Sequence, residues 1–288
     1  MLTVLAPAKV NLTLEVLSKR PDGFHEIRSV AQTVNLCDKL HFQRGNGLEF
    51  RCADSSWVPE MSLVSKAADL LQEIGGASEG AIITVDKYIP LVSGLSGDSS
   101  DAAATLRGLN QLWELSLPQE ELMRLAAQLG SDVPFFLSGG TALLEGRGEL
   151  VTPLPPFPKT WVILMLPPVP RLPGKTGRLY AGIRTERFTD GQATERLVNQ
   201  LTRGRGMKTS TLFNVFDEVA PGGFEELSIY WEQFLKAGAR EVQLAGSGPV
   251  LFTLTQDKAQ AEKIYQSLEQ QNLESYLTHT LAAIDYMG

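Results

Sequence analysis

The stretch Pro90-Leu91-Val92-Ser93-Gly94-Leu95-Ser96-Gly97-Asp98-Ser99-Ser100-Asp101 decides how this chain is read. It is built from small residues and runs straight into a helical pattern: Ala102, Ala103, Leu106, Leu109, Asn110 and Trp113. Glycines let a backbone approach a ligand closely and take positive φ. Ser99 and Ser100 are suited to cap the helix that follows. The first turn of a helix carries unpaired N–H groups and a partial positive charge. The combination predicts an anion site fitted to nucleotide phosphates. Taken alone, it fits a capped helix behind a flexible connection equally well.

Upstream, Leu2, Val4, Val10, Leu12, Leu14 and Val16 alternate as in strands, with a break expected at Pro7. Arg20-Pro21-Asp22-Gly23 is a turn cluster, and residues 27–42 read as a second strand region. Residues 61–74 have helical spacing and stop at Gly75-Gly76, and 81–85 read as a strand. Downstream, a helix over 119–129 ends at Gly130. The proline-rich stretch 151–158 marks a crossing between domains, which places the two at 1–155 and 156–288. Residues 161–166 form a short apolar run, read as a buried strand. Helices are expected at 177–183, 194–199, 212–219, 224–238 and 258–270. Strands are expected on either side of Gly246-Ser247-Gly248 and near 276–281. Strands and helices mix without strict βαβ alternation, which predicts an α+β fold.

Composition narrows the function. With 43% hydrophobic and 20% charged residues in 288, the chain can bury a sizeable core. The formal net charge of -7 argues against a general nucleic-acid binder, while leaving room for a nucleotide ligand held by local donors. No apolar run approaches the length of a membrane span, and the N-terminus lacks a signal peptide's pattern, so a cytoplasmic location is expected. Cys37 and Cys52 form no CxxC pair, and His25, His41 and His279 lie far apart. No resident metal site and no disulfide framework are expected. Val169-Pro170-Arg171-Leu172-Pro173-Gly174-Lys175-Thr176 imitates the end of a Walker A loop. It fails because Val169 replaces the first glycine and the prolines have no N–H to offer phosphate. Neither Gly94-Leu95-Ser96-Gly97-Asp98 nor Ala245-Gly246-Ser247-Gly248-Pro249 completes the GxSxG of a serine hydrolase.

Three segments, in order, resemble the motifs of the GHMP kinase family: Pro7-Ala8-Lys9-Val10-Asn11-Leu12, Ile89-Pro90 through Ala103, and Gly246-Ser247-Gly248-Pro249. Arg20-Pro21-Asp22-Gly23-Phe24-His25, Leu129-Gly130-Ser131-Asp132-Val133-Pro134-Phe135-Phe136 and Ser99-Ser100-Asp101-Ala102-Ala103 are further similar to the branch acting on a cytidine-diphosphate-linked methylerythritol. The resemblance implies a two-domain fold, ribosomal-protein-S5-like then ferredoxin-like, with a soluble monomer or homodimer using ATP and Mg²⁺ on a small molecule. It implies Asp132 as general base and Lys9 as the charge stabiliser, which is reasonable for phosphoryl transfer to an alcohol. Asn11 shares the strand face of Lys9 and would position substrate with Phe24, His25, Thr176 and Tyr180, the aromatics stacking on a base. Pro90, Gly94, Leu95, Ser96, Gly97, Asp98, Ser99 and Ser100, with Lys87 and Ser62, would hold ATP. Two other readings stay open: a GHMP kinase for a different alcohol, and a non-catalytic nucleotide-binding relative.

The loop departs from the family pattern. Val92, Ser96 and Asp98 stand at glycine positions, and Ser62 stands where an adenine-contacting Asn is common. A carboxylate beside ATP phosphates is costly, so Asp98 is expected to face solvent or to meet Mg²⁺ through water.

Overall fold

The structure, a computed structural model, describes residues 1–75, 80–170, 174–204, 211–219, 224 and 226–284. Its frame is a long antiparallel hairpin of β1 (Leu2–Lys19) and β2 (His25–Gly45), turned at the Arg20–Gly23 cluster. Pro7 does not end β1. The register shifts between Pro7 and Ala8, and that irregularity absorbs the missing N–H so that pairing resumes at once. β3 (Leu48–Cys52) and β4 (Gly80–Asp86) extend the sheet beyond β2. β5 (Thr141–Glu145) pairs with the other end of β2 and carries β6 (Leu150–Pro153).

One face of this sheet is covered by α1 (Leu63–Gly75), α2 (Gly97–Leu112), α3 (Gln119–Leu129) and α4 (Val133–Ser138). Val4, Leu40, Phe42, Ile83 and Val85 from the strands meet Leu71, Leu106, Leu109 and Phe135 from the helices in one buried cluster. α2 lies tight on the sheet because Gly108 has no side chain. A Cβ there would stand 2.4 Å from the ring of Phe42, which is fully buried.

A second, four-stranded sheet is ordered β11-β7-β10-β9: β7 (Trp161–Leu166), β9 (Gln243–Leu244), β10 (Leu251–Thr255) and β11 (Glu274–His279). α5 (Lys175–Ala181), α6 (Gln192–Thr202), α7 (Leu227–Lys236) and α8 (Lys258–Gln270) complete this half. The halves are not strictly separate. β8 (Phe213–Asn214) pairs in parallel with β1, so the larger sheet takes a strand from beyond residue 156. No helix among the described residues is long and apolar enough to cross a membrane.

The helix expected at 212–219 is instead β8 followed by a 3₁₀ turn at Val215–Glu218. The side chain of Asn214 explains this. Its amide donates to the carbonyls of Leu244 and Gly246 and its oxygen accepts from Phe216 N–H, bonds an α-helix here would forfeit. The helix expected from 224 begins only at Leu227, because Glu226 takes φ +64.

Gly108→Ala gains helix propensity but drives a methyl group into Phe42. We expect a net destabilisation of about 1–3 kcal/mol, read as a lower denaturant midpoint at unchanged m-value.

Candidate active site

Alternation along β1 sends Lys9 and Asn11 to the same face, against the turn between α3 and α4. Lys9 is buried. Its ammonium donates to Asn11 Oδ1 at 2.7 Å and lies 3.5 Å from Asp132 Oδ2. Asn11 Nδ2 in turn donates to Ser29 Oγ at 2.8 Å, which donates to Thr13 O at 2.5 Å. The amide is thereby fixed with its oxygen toward the lysine. Asp132 is the residue just ahead of α4, and Ser96 Oγ donates to the same Oδ2 at 2.5 Å. Both contacts engage one carboxylate oxygen, Oδ2.

The glycine-rich loop is tied to this pair. Lys9 N–H donates to Leu95 O at 3.1 Å, and α2 begins at Gly97. Ser99 and Ser100 therefore lie in the first turn rather than at the cap. The N–H groups of this 16-residue helix's first turn face a cleft of about 840 Å³. The cleft is lined by Pro90, Gly94, Ser96, Gly97, Asp98, Ser99, Lys9, Asn11 and Asp132. Leu95 is buried beneath the loop, and Ser100 Oγ is buried without a partner among the described residues.

At the far end of the same cleft, His25 lies against Tyr180, with ring centroids 5.3 Å apart, and Phe188 meets His25 edge-on. Burial, with the Lys19 charge second, lowers the imidazole pKa. Phe24 is 48% exposed with the Arg147 guanidinium 5.0 Å from its ring centroid. The His25 and Tyr180 rings already touch, tilted by 30°. Thr176 bonds Ser247 at 2.9 Å between the two ends.

The family described as GHMP kinases N terminal domain matches residues 62–140, and GHMP kinases C terminal matches 197–274. A Dehalococcoides mccartyi protein named 4-diphosphocytidyl-2-C-methyl-D-erythritol kinase is 49% identical over 285 residues, 99% of this chain and 100% of its own. A Geobacillus kaustophilus protein of the same name is 38% identical, with 93% and 92% covered. The chain belongs to the GHMP kinase family. A solved structure of 4-(cytidine 5'-diphospho)-2C-methyl-D-erythritol kinase superimposes with a TM-score of 0.82 at 32% identity, covering 96% of this chain and 98% of that one. As a GHMP kinase, the protein uses ATP.

Three residues sit in this GHMP kinase otherwise than expected. Asp98 is half-buried on the cleft lining, yet its carboxylate is turned to α1. Its carboxylate accepts from Ser62 Oγ at 2.7 Å and from Leu63 N–H at 3.2 Å, so it closes the N-terminus of α1. Ser62 is buried, lies outside the cleft lining, and spends its hydroxyl proton on Asp98 while accepting from Val64 N–H. Lys87 borders the cleft, but its ammonium is held between the buried carboxylates of Asp38 and Asp101. Burial opposes that charge, yet the two carboxylates outweigh it and raise the lysine's pKa. Asp101 is pushed well above the usual carboxylate range, by burial first and then by Asp38.

A third loop closes the site. Val250 N–H donates to Ser93 O at 3.1 Å, and a Cβ on Gly94 (φ +93) would stand 2.1 Å from Ala245 O. Only glycine fits there. Asp217, for which the sequence offered no signal, accepts from Leu244 N–H at 3.0 Å beneath this loop. Burial raises its carboxyl to about 7 against that hydrogen bond.

Two consequences are measurable. Asp98→Ala removes the cap of α1 and should cost about 1 kcal/mol in chemical denaturation. Asp217 releases its proton near pH 4 when unfolded but near 7 when folded, so its contribution to stability falls as pH rises through that window. Asp217→Asn, neutral throughout and still an acceptor, should melt higher than wild type at pH 8 and show a flatter profile between pH 4 and 7.

Proposed function

We propose that this GHMP kinase transfers the γ-phosphoryl group of ATP to the 2-hydroxyl of 4-diphosphocytidyl-2-C-methyl-D-erythritol, giving ADP and the 2-phosphate, in the non-mevalonate route to isoprenoid precursors. The observation that carries the reading is the pair of contacts on Asp132 Oδ2, from Lys9 and Ser96, at the mouth of the phosphate loop. They fix a carboxylate with one oxygen free to orient an alcohol. The relatives' names and the aromatic end of the cleft support the acceptor.

Asp132 accepts the hydroxyl proton as the new P–O bond forms, and the electrons of the broken P–O bond leave with ADP. Lys9 stabilises the charge on the transferring group at no cost in reorganisation, because Asn11 and Asp132 already hold it in place. The first turn of α2 supplies N–H donors and dipole to the ATP phosphates. Mg²⁺ would screen those phosphates. The orphaned Ser100 hydroxyl and its neighbour Ser99 fit such an ion, and no cluster of three or more His, Cys, Asp or Glu among the described residues is placed to hold a metal by itself. The same reading divides the chain at 155/156 and places the enzyme in the cytoplasm.

ADP release with the cytidylated acceptor tests the assignment. Asp132→Asn and Lys9→Met should each lower kcat by roughly 10²–10⁴-fold while ATP affinity changes little. Equal turnover by wild type and Asp132→Asn would remove Asp132 as base. No turnover by wild type, with ATP still bound, would point to a different alcohol or a binding-only protein.

A further inference from the structure

Lys175 opens α5 on the wall of the cleft and is only 8% exposed. Its Nζ has no hydrogen-bond partner among the described residues and lies 5.5 Å from the ring centroid of Phe224. Burial alone pushes the ammonium down to about 7, with no charged side chain contributing to the shift. An unpaired amine in such a place is a burden on folding, and an apolar residue of similar length would pack better. A lysine kept in a cleft at that cost points to a ligand.

The other cleft cations are spoken for. Lys9 is paired with Asp132, Lys87 with Asp38 and Asp101, and Arg147 with Glu149. Lys19 stands exposed at the rim. Among the described cleft residues, Lys175 is the cation both buried and unpaired.

Its position selects the ligand group. Lys175 and Tyr180 are five residues apart on α5, about 7.5 Å along the axis at 1.5 Å per residue. Tyr180 belongs to the aromatic end. Thr176, next to Lys175, is bonded to Ser247, and a Cβ on the adjoining Gly246 would stand 3.8 Å from Lys9 Nζ. Lys175 thus lies between the aromatic end and the transfer site. In an acceptor with a base at one end and the reacting alcohol at the other, that is where the anionic linker runs.

We propose that Lys175 is a specificity-determining residue that turns from the face of Phe224 onto the diphosphate linker of the acceptor. This rests on the reading of the acceptor given above. The ATP phosphates are met by the loop and α2 instead, so the two sources of phosphate are separable.

The test uses CDP and cytidine as probes in calorimetric titrations of the full-length enzyme, alongside steady-state kinetics. Lys175→Met should weaken CDP roughly tenfold or more, leave cytidine unchanged, raise the acceptor KM by a similar factor, and leave the ATP KM within about twofold. Its melting temperature should rise, which reports that the variant is folded. Lys175→Gln should repeat the binding pattern, and Lys19→Met should not. The proposal is overturned if Lys175→Met weakens CDP and cytidine equally, weakens neither, or shifts only the ATP KM. In those cases wild type still turns over the acceptor. Failure of wild type itself to bind CDP or use the acceptor would overturn the acceptor reading and this one together.

Discussion

The ammonium of Lys9 must be neutralised where it stands, because its side chain is 5% exposed. Asn11 comes from the same strand, Asp132 from the turn after α3, and the main chain of Lys9 holds the phosphate loop through Leu95. Two segments far from β1 in sequence are thereby anchored on one of its residues. The proposed phosphate site and the proposed base are consequently held in fixed relation by the fold itself. That is the condition under which electrostatic stabilisation costs nothing at the moment of transfer.

The loop shows how lost glycines are compensated. Val92 and Ser96 keep left-handed backbone, φ +53 and +57, at positions where the family pattern has glycine. Ser96 offsets its strain with the bond to Asp132. Asp98 uses its side chain to cap the start of α1, and Ser62 completes that contact. The two departures that looked separately damaging, Asp98 in the loop and Ser62 at the adenine position, are partners. Val92 has its side chain largely in solvent, and nothing in the structure offsets its strain.

What the sequence made legible follows from the range of the interactions involved. The loop, Lys9 and Asp132 could be found because glycine spacing, strand alternation and motif order are local or sequential signals. The capping by Asp98 could not, since its partners lie 35 and 36 residues upstream. Nor could the burial of Lys87 between Asp38 and Asp101, 49 and 14 residues away. The misread helix at 212–219 has the same origin: Asn214 is committed to carbonyls 30 and 32 residues further on, and that overrides helical spacing. Pro7 misled in the other direction, because a register shift lets a strand continue past a residue that breaks the pattern locally. At the aromatic end the residue types were legible but their pairing was not: His25, not Phe24, lies against Tyr180.

The glycine-rich loop rests on a floor that the ribosome makes late. Gly94 packs against Ala245 and Gly248, and Ser93 is held by the amide of Val250. A chain cut after β6 keeps the loop's ties to Lys9, Asp132 and Ser62 but lacks this floor. The loop therefore reaches its full packing only when residues from both halves of the chain are in place.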